Sequence, residues 1–178
     1  MAKILLIVAN DGFNEDEYFI TKEILESNSI QVVTGALEAG GASGTNGRST
    51  NVDVVVSDLL EYTENVEEYD GVVFVGGSSM AQITDDERFY KLAINFNQYH
   101  KLISAICIAP VILAKANLLR GKKATVFADE QAINDLVANG AEYTDQEVII
   151  DGDIITANGP KAAYKFGSAI VKALLNKD

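Results

Sequence analysis

The sequence predicts an α/β fold in which a doubly wound, mostly parallel sheet carries helices on both faces. Three observations lead there. Short β-branched apolar runs alternate with longer amphipathic stretches, as they do where strands are joined through crossover helices. One run, Leu102 to Ile106, passes straight into a small-residue turn and a helix start at Pro110. With 178 residues and 48% hydrophobic content, the chain has enough apolar material for one compact domain over residues 1–178.

Each element has its own signal. Ile4 to Ala9 is an apolar run that reads as a buried first strand, too short for a signal peptide or a membrane span. Ile30 to Gly35, Val52 to Val56, Val72 to Val75, Leu102 to Ile106 and Ala124 to Phe127 are the further strand candidates, each short and rich in β-branched residues. Helical periodicity covers Glu15 to Ser27, Asp85 to Tyr99, Ala109 to Ala116, Glu130 to Ala138 and Lys161 to Leu175. Near the end, Glu147 to Ile150, the turn Asp151-Gly152, and Asp153 to Thr156 read as a hairpin. Between Glu38 and Thr50 lie Gly40, Gly41, Gly44 and Gly47 with few apolar residues, which reads as a flexible surface connection.

Composition narrows the function classes. A net charge of −12 argues against nucleic acid and anionic membranes as partners, because both require clustered lysine and arginine. One cysteine and one histidine cannot assemble a zinc site of nitrogen and sulfur ligands, and a lone cysteine cannot form an internal disulfide. A free thiol fits a reducing cytoplasm. Glu15-Asp16-Glu17 and Asp85-Asp86-Glu87 have the look of polar helix first turns rather than a cation site, so no metal is expected. No G-x-G-x-x-G follows the first strand, and Gly121-Lys122-Lys123 lacks the spacing of a phosphate loop.

The chemistry concentrates at Cys107. A lone cysteine is by default a small buried hydrophobe, but this one follows a strand, has Ala105 and Ala109 two residues to either side, and precedes Pro110. That is the pattern of a nucleophile elbow, where small neighbours permit a sharp turn and a helix start lends its amides to a thiolate. Ligands of open α/β sheets bind beyond the carboxyl ends of the strands. The segments expected there are Asp11 to Glu17, Gly76-Gly77-Ser78-Ser79, Cys107 and Asn158-Gly159-Pro160. Gly76 and Gly77 either aim amides at an oxyanion together with Ile108 or form a plain strand-to-helix turn. Glu17 by itself reads as a solvated first-turn carboxylate; buried and neutral, it would instead donate a hydrogen bond to the sulfur and favour thiolate. His100, in Asn97-Gln98-Tyr99-His100-Lys101 ahead of the fifth strand candidate, is expected on the surface far from the crevice, which leaves no histidine base for Cys107.

Taken together, Val75-Gly76-Gly77, Ala105-Ile106-Cys107-Ile108-Ala109-Pro110 and Thr156-Ala157-Asn158-Gly159-Pro160 resemble the DJ-1/PfpI (ThiJ/PfpI) superfamily, nearly end to end. The likeness is closer to DJ-1-like and YajL-like members than to the PfpI proteases. It implies a flavodoxin-like fold with Cys107 as the reactive cysteine and the backbone of Gly77 and Ile108 in the oxyanion positions. Glu17 matches the family glutamate, with Glu15 as the fallback. Gly76, Ser78, Asn158 and Pro160 fall in the family's crevice segments, and Arg48 falls where DJ-1-like members carry an arginine for the partner subunit. Two departures stand out: Ile108 replaces the histidine that follows the cysteine in PfpI-type members, and Val126-Phe127-Ala128 replaces a second crevice histidine. The resemblance implies no cofactor, a homodimer, and a small-molecule aldehyde or oxidant as reaction partner. Glyoxalase, hydratase or deglycase chemistry at Cys107 is the leading expectation. Redox sensing through a Cys107 sulfinate or holdase chaperoning is the alternative, a member that has lost its chemistry the third, and proteolysis the least expected.

Overall fold

The computed structural model describes residues 1–176. In chain order its elements are β1 (Lys3–Ile7), β2 (Asp11–Phe13), α1 (Glu15–Ser27), β3 (Gln31–Ala36), β4 (Gly40–Gly44), β5 (Ser49–Val52), β6 (Val54–Val55), α2 (Val56–Leu59), β7 (Gly71–Phe74) and α3 (Ser78–Ile83). They continue with α4 (Glu87–Gln98), β8 (Leu102–Ile106), α5 (Pro110–Lys115), β9 (Lys123–Ala124), α6 (Glu130–Ala138), β10 (Glu142–Tyr143), β11 (Val148–Asp151), β12 (Ile154–Ala157) and α7 (Ala163–Leu175).

Seven strands form the central sheet in the order β11-β12-β8-β7-β1-β3-β6. Every neighbouring pair is parallel except β11 with β12. The chain builds outward from β1 on one side, then returns to place β7 on the other, so the topological switch lies between β1 and β7. Both faces are covered, which is why β1, β7 and β8 are near-continuous apolar runs. Leu5, Ile7, Phe74 and Ile103 pack toward Phe89, Leu92 and Phe96 of α4. Ile4, Leu6 and Val73 pack on the opposite face toward Leu25 of α1 and Phe166 and Ile170 of α7. Among the described residues, no helix is long and apolar enough to cross a membrane.

Several sequence expectations change. The glycine-rich stretch is an ordered hairpin: β4 and β5 pair antiparallel, and β2 joins them in a second, three-stranded sheet. What fastens it is remote in sequence. Glu15 Oε1 accepts the amides of Asn46 at 2.8 Å and Arg48 at 2.9 Å, and the buried Tyr18 hydroxyl meets Thr34 Oγ1 at 2.6 Å and Thr50 Oγ1 at 2.9 Å. The strand expected over Val52 to Val56 divides among the end of β5, the two residues of β6 and the start of α2. The strand expected over Ala124 to Phe127 shrinks to β9, which pairs with β10 outside the central sheet. α4 starts two residues later than expected because Asp86 caps it, its Oδ1 accepting the Arg88 amide. β8, α1 and α6 fall where the sequence places them.

Because Tyr18 ties α1, β3 and β5 through one buried hydroxyl, Tyr18→Phe is expected to lower stability by about 1 kcal/mol. Thermal unfolding would then shift down by about 2–4 °C, while an unchanged midpoint would show that the hairpin is held without this link.

Candidate active site

Cys107 sits where β8 ends, in a turn closed by the Ala109 amide donating to Ile106 O at 3.1 Å. Its φ is +63°, a left-handed value for a residue with a side chain, which carries backbone strain of about 1–3 kcal/mol. Two further bonds hold that conformation: Cys107 N donates to Ala157 O at 2.9 Å, and the Phe127 amide donates to Cys107 O at 2.8 Å. The elbow is therefore clamped between β12 and the segment after β9.

Glu17 points inward from the first turn of α1. Asn14 caps that turn through Oδ1, which accepts the Glu17 amide at 3.1 Å. The solvated reading of Glu17 does not hold, since the side chain is fully buried. Its Oε2 accepts the Gly76 amide at 2.8 Å. Oε1 lacks a well-formed hydrogen bond, and the carboxyl interacts with the Cys107 thiol. Burial pushes Glu17 up to about 7, against the lowering influence of the thiol and the Gly76 amide. Burial, followed by the charge of Glu17, also pushes the Cys107 thiol up, while the amides of Ile108 and Gly77 pull it down. Groups this close titrate as a pair; the amides of Ile108 and Gly77 favour charge on the sulfur, and the Gly76 amide favours charge on Glu17.

The helix expected to serve the sulfur does not reach it. α5 begins only at Pro110 and spans 6 residues, and the amides that act on the sulfur are those of Ile108, in the elbow turn, and Gly77, just ahead of α3. Gly77 has φ +131°, and a Cβ there would lie 2.4 Å from Gly12 O. A Cβ on Gly76 would meet Cys107 Cβ at 2.5 Å and Glu17 Oε2 at 2.7 Å. The pair must be glycines for β2, α1 and the elbow to meet, a contact completed by Asn14 N donating to Gly76 O at 3.0 Å.

A cleft of about 480 Å³ opens over the sulfur, and Gly77, Ser78, Ile108 and Pro160 help line it. Arg48 and Asn158 do not. The Arg48 guanidinium stacks on the Phe19 ring at 3.6 Å, and the Asn158 amide donates to Glu147 O at 3.1 Å. Glu15, the fallback for Glu17, is occupied with the turn amides of the hairpin, and His100 is exposed on the loop before β8. Asn14 and Phe127 also line the cleft: the first lies in the Asp11 to Glu17 segment expected there, the second in the segment where the family carries a histidine. Sequence reasoning passed over Ala81 and Asp129.

A raised carboxyl has a signature in stability. The unfolded Glu17 loses its proton near 4.5 and the folded one near 7, so between those values the native state binds more protons and stability falls as pH rises. Relative to Glu17→Gln, the wild type is expected to lose about 3 kcal/mol across that window and then level off. Urea melts of both proteins at intervals from pH 4.5 to 8 measure the difference, and a difference that rises with pH would mean that Glu17 is not a buried acid.

A sequence model of the DJ-1/PfpI family matches residues 2–173. An uncharacterized protein of Methanocaldococcus jannaschii is 35% identical over 174 residues, covering 97% of this chain and 82% of that one. A deglycase of Pyrococcus horikoshii is 28% identical over 172 residues, covering 97% and 99%. Among solved structures, a ThiJ/PfpI domain protein from Brachyspira murdochii superposes with a TM-score of 0.91 at 30% identity, covering 98% of this chain and 96% of that one. With its elbow and its sheet order alike in place, the chain belongs to the DJ-1/PfpI family.

Proposed function

We propose that this chain is a cysteine-dependent catalyst acting on small reactive carbonyl compounds, of the glyoxalase, hydratase or deglycase kind. The observation that carries the reading is the pairing of Cys107, in a left-handed elbow, with a carboxyl that is fully buried and held near pH 7. The relative from Pyrococcus horikoshii, named a deglycase, supports the same class of chemistry. The protein is proposed to work as a homodimer in a reducing cytoplasm, without a cofactor.

In this mechanism the ionised pair places its charge on Sγ and its remaining proton on Glu17. Sγ attacks the aldehyde carbon, the new C–S bond forms, and the C=O π pair moves to oxygen. The amides of Gly77 and Ile108 stabilise that oxygen, and Glu17 passes its proton to it, giving a neutral hemithioacetal. The Glu17 carboxylate left behind is the base for the next transfer. A second reading rests on the same amides and on the buried acid: they would equally hold a Cys107 sulfinate formed by peroxide, making the chain an oxidant sensor.

Iodoacetamide labelling of the single thiol tests the pair. The rate in the wild type is expected to rise below the unperturbed value of about 8.5, because in this mechanism the pair's first lost proton leaves the charge on Sγ. In Glu17→Gln the midpoint moves above the unperturbed value of about 8.5, because a buried thiol must then ionise alone. Glyoxal turnover is expected to vanish in Cys107→Ala and to fall by about 10²–10⁴-fold in Glu17→Gln. A wild-type midpoint at or above about 8.5, or no labelling of the folded protein, would overturn the activated thiol. Stoichiometric sulfinate with no turnover would favour the sensor.

A further inference from the structure

The cleft walls carry a selectivity of their own. Phe127 is 46% exposed, although it lies one hydrogen bond from the nucleophile through its amide and Cys107 O. An aromatic ring left in water beside a reactive sulfur offers apolar surface to whatever enters. Its position is fixed by backbone rather than by packing: the Phe127 amide is tied to the elbow, and Phe127 O accepts the Asp129 amide at 2.7 Å. The ring lies against Gly159, where a Cβ would come within 3.4 Å of Phe127 Cδ2. Ala81, Ile108 and Pro160 supply the other apolar walls.

The charges are equally one-sided. Neither lysine nor arginine lines the cleft, and its one charged wall residue is Asp129. Asp129 Oδ2 caps α6 through the Ala132 amide at 2.9 Å, so it is held in place at the mouth while Glu17 sits beneath the sulfur. An anionic substrate would meet the Asp129 carboxylate on the wall and the negative charge carried by the pair of Cys107 and Glu17, without a side-chain countercharge.

We propose that Phe127 and Asp129 are specificity-determining residues that restrict Cys107 to neutral carbonyl compounds bearing an apolar or aryl substituent, and exclude carboxylated or phosphorylated aldehydes. This assignment rests on the carbonyl chemistry proposed above, but it is a property of the cleft and is readable without turnover. Labelling rates of Cys107 with neutral iodoacetamide and anionic iodoacetate, taken as a ratio, isolate charge. N-benzylmaleimide against N-ethylmaleimide isolates the apolar wall. The same ratios on the urea-unfolded chain supply the reference, since one thiol accounts for every signal.

Folding is expected to raise the iodoacetamide preference, and Asp129→Asn to cut it by about fivefold. The benzyl preference of the folded protein is expected to exceed the reference by about 3- to 10-fold. It should be lost in Phe127→Ala and retained in part in Phe127→Leu. Ratios equal to those of the unfolded chain, or unmoved by both substitutions, would overturn the proposal, as would a folded protein that excludes every reagent. Intact ratios in a protein that turns over no aldehyde would sink the carbonyl reading while leaving the cleft's selectivity standing.

Discussion

The carboxyl of Glu17 is the constraint on which the rest of the site depends. A fully buried acid is costly to ionise, and here it is accommodated by one backbone amide, that of Gly76, and one neighbouring thiol. Both partners come from strands on the far side of the topological switch, β7 and β8, whereas Glu17 arrives from α1. The three segments meet only because Gly76 and Gly77 leave no side chain between them. The meeting of Glu17 with Cys107 is thus a product of chain topology, and the elbow's strain is tolerated because β12 and Phe127 hold it from two sides.

Much of the fold was legible because parallel sheets announce themselves. β8 is an apolar run buried along its whole length, and both its ends were read correctly. α1 and α6 carry caps and periodicity within their own sequence. The hairpin β4-β5 was illegible for the opposite reason: its stability is borrowed from Glu15 and Tyr18, a helix away, and glycine-rich strands without an apolar alternation resemble loops. β9 was overextended because Thr125 and Val126 are buried without joining a ladder. Burial imitates a strand where no partner strand exists.

The site divides along the same line. Cys107, Gly76 and Gly77 could be found from sequence, since a sharp turn demands small neighbours and positive φ demands glycine. Glu17 could be located only through the family spacing, because a first-turn glutamate is ordinarily solvated and nothing local records that this one turns inward. Phe127 was noted only as part of a segment where the family carries a histidine, and Asp129 escaped notice: their significance comes from the path of the chain after β9, which the sequence did not mark as leaving the sheet.

The left-handed backbone at Cys107 also limits how this site can change over time. With φ at +63°, the position admits glycine or asparagine with little strain and resists β-branched residues. A lineage that discards the thiol is thereby channelled toward residues that keep the elbow and its inward-facing amides intact. A substitution of that kind would remove the thiol and leave the turn, the glycine pair beside it and the cleft walls as they stand.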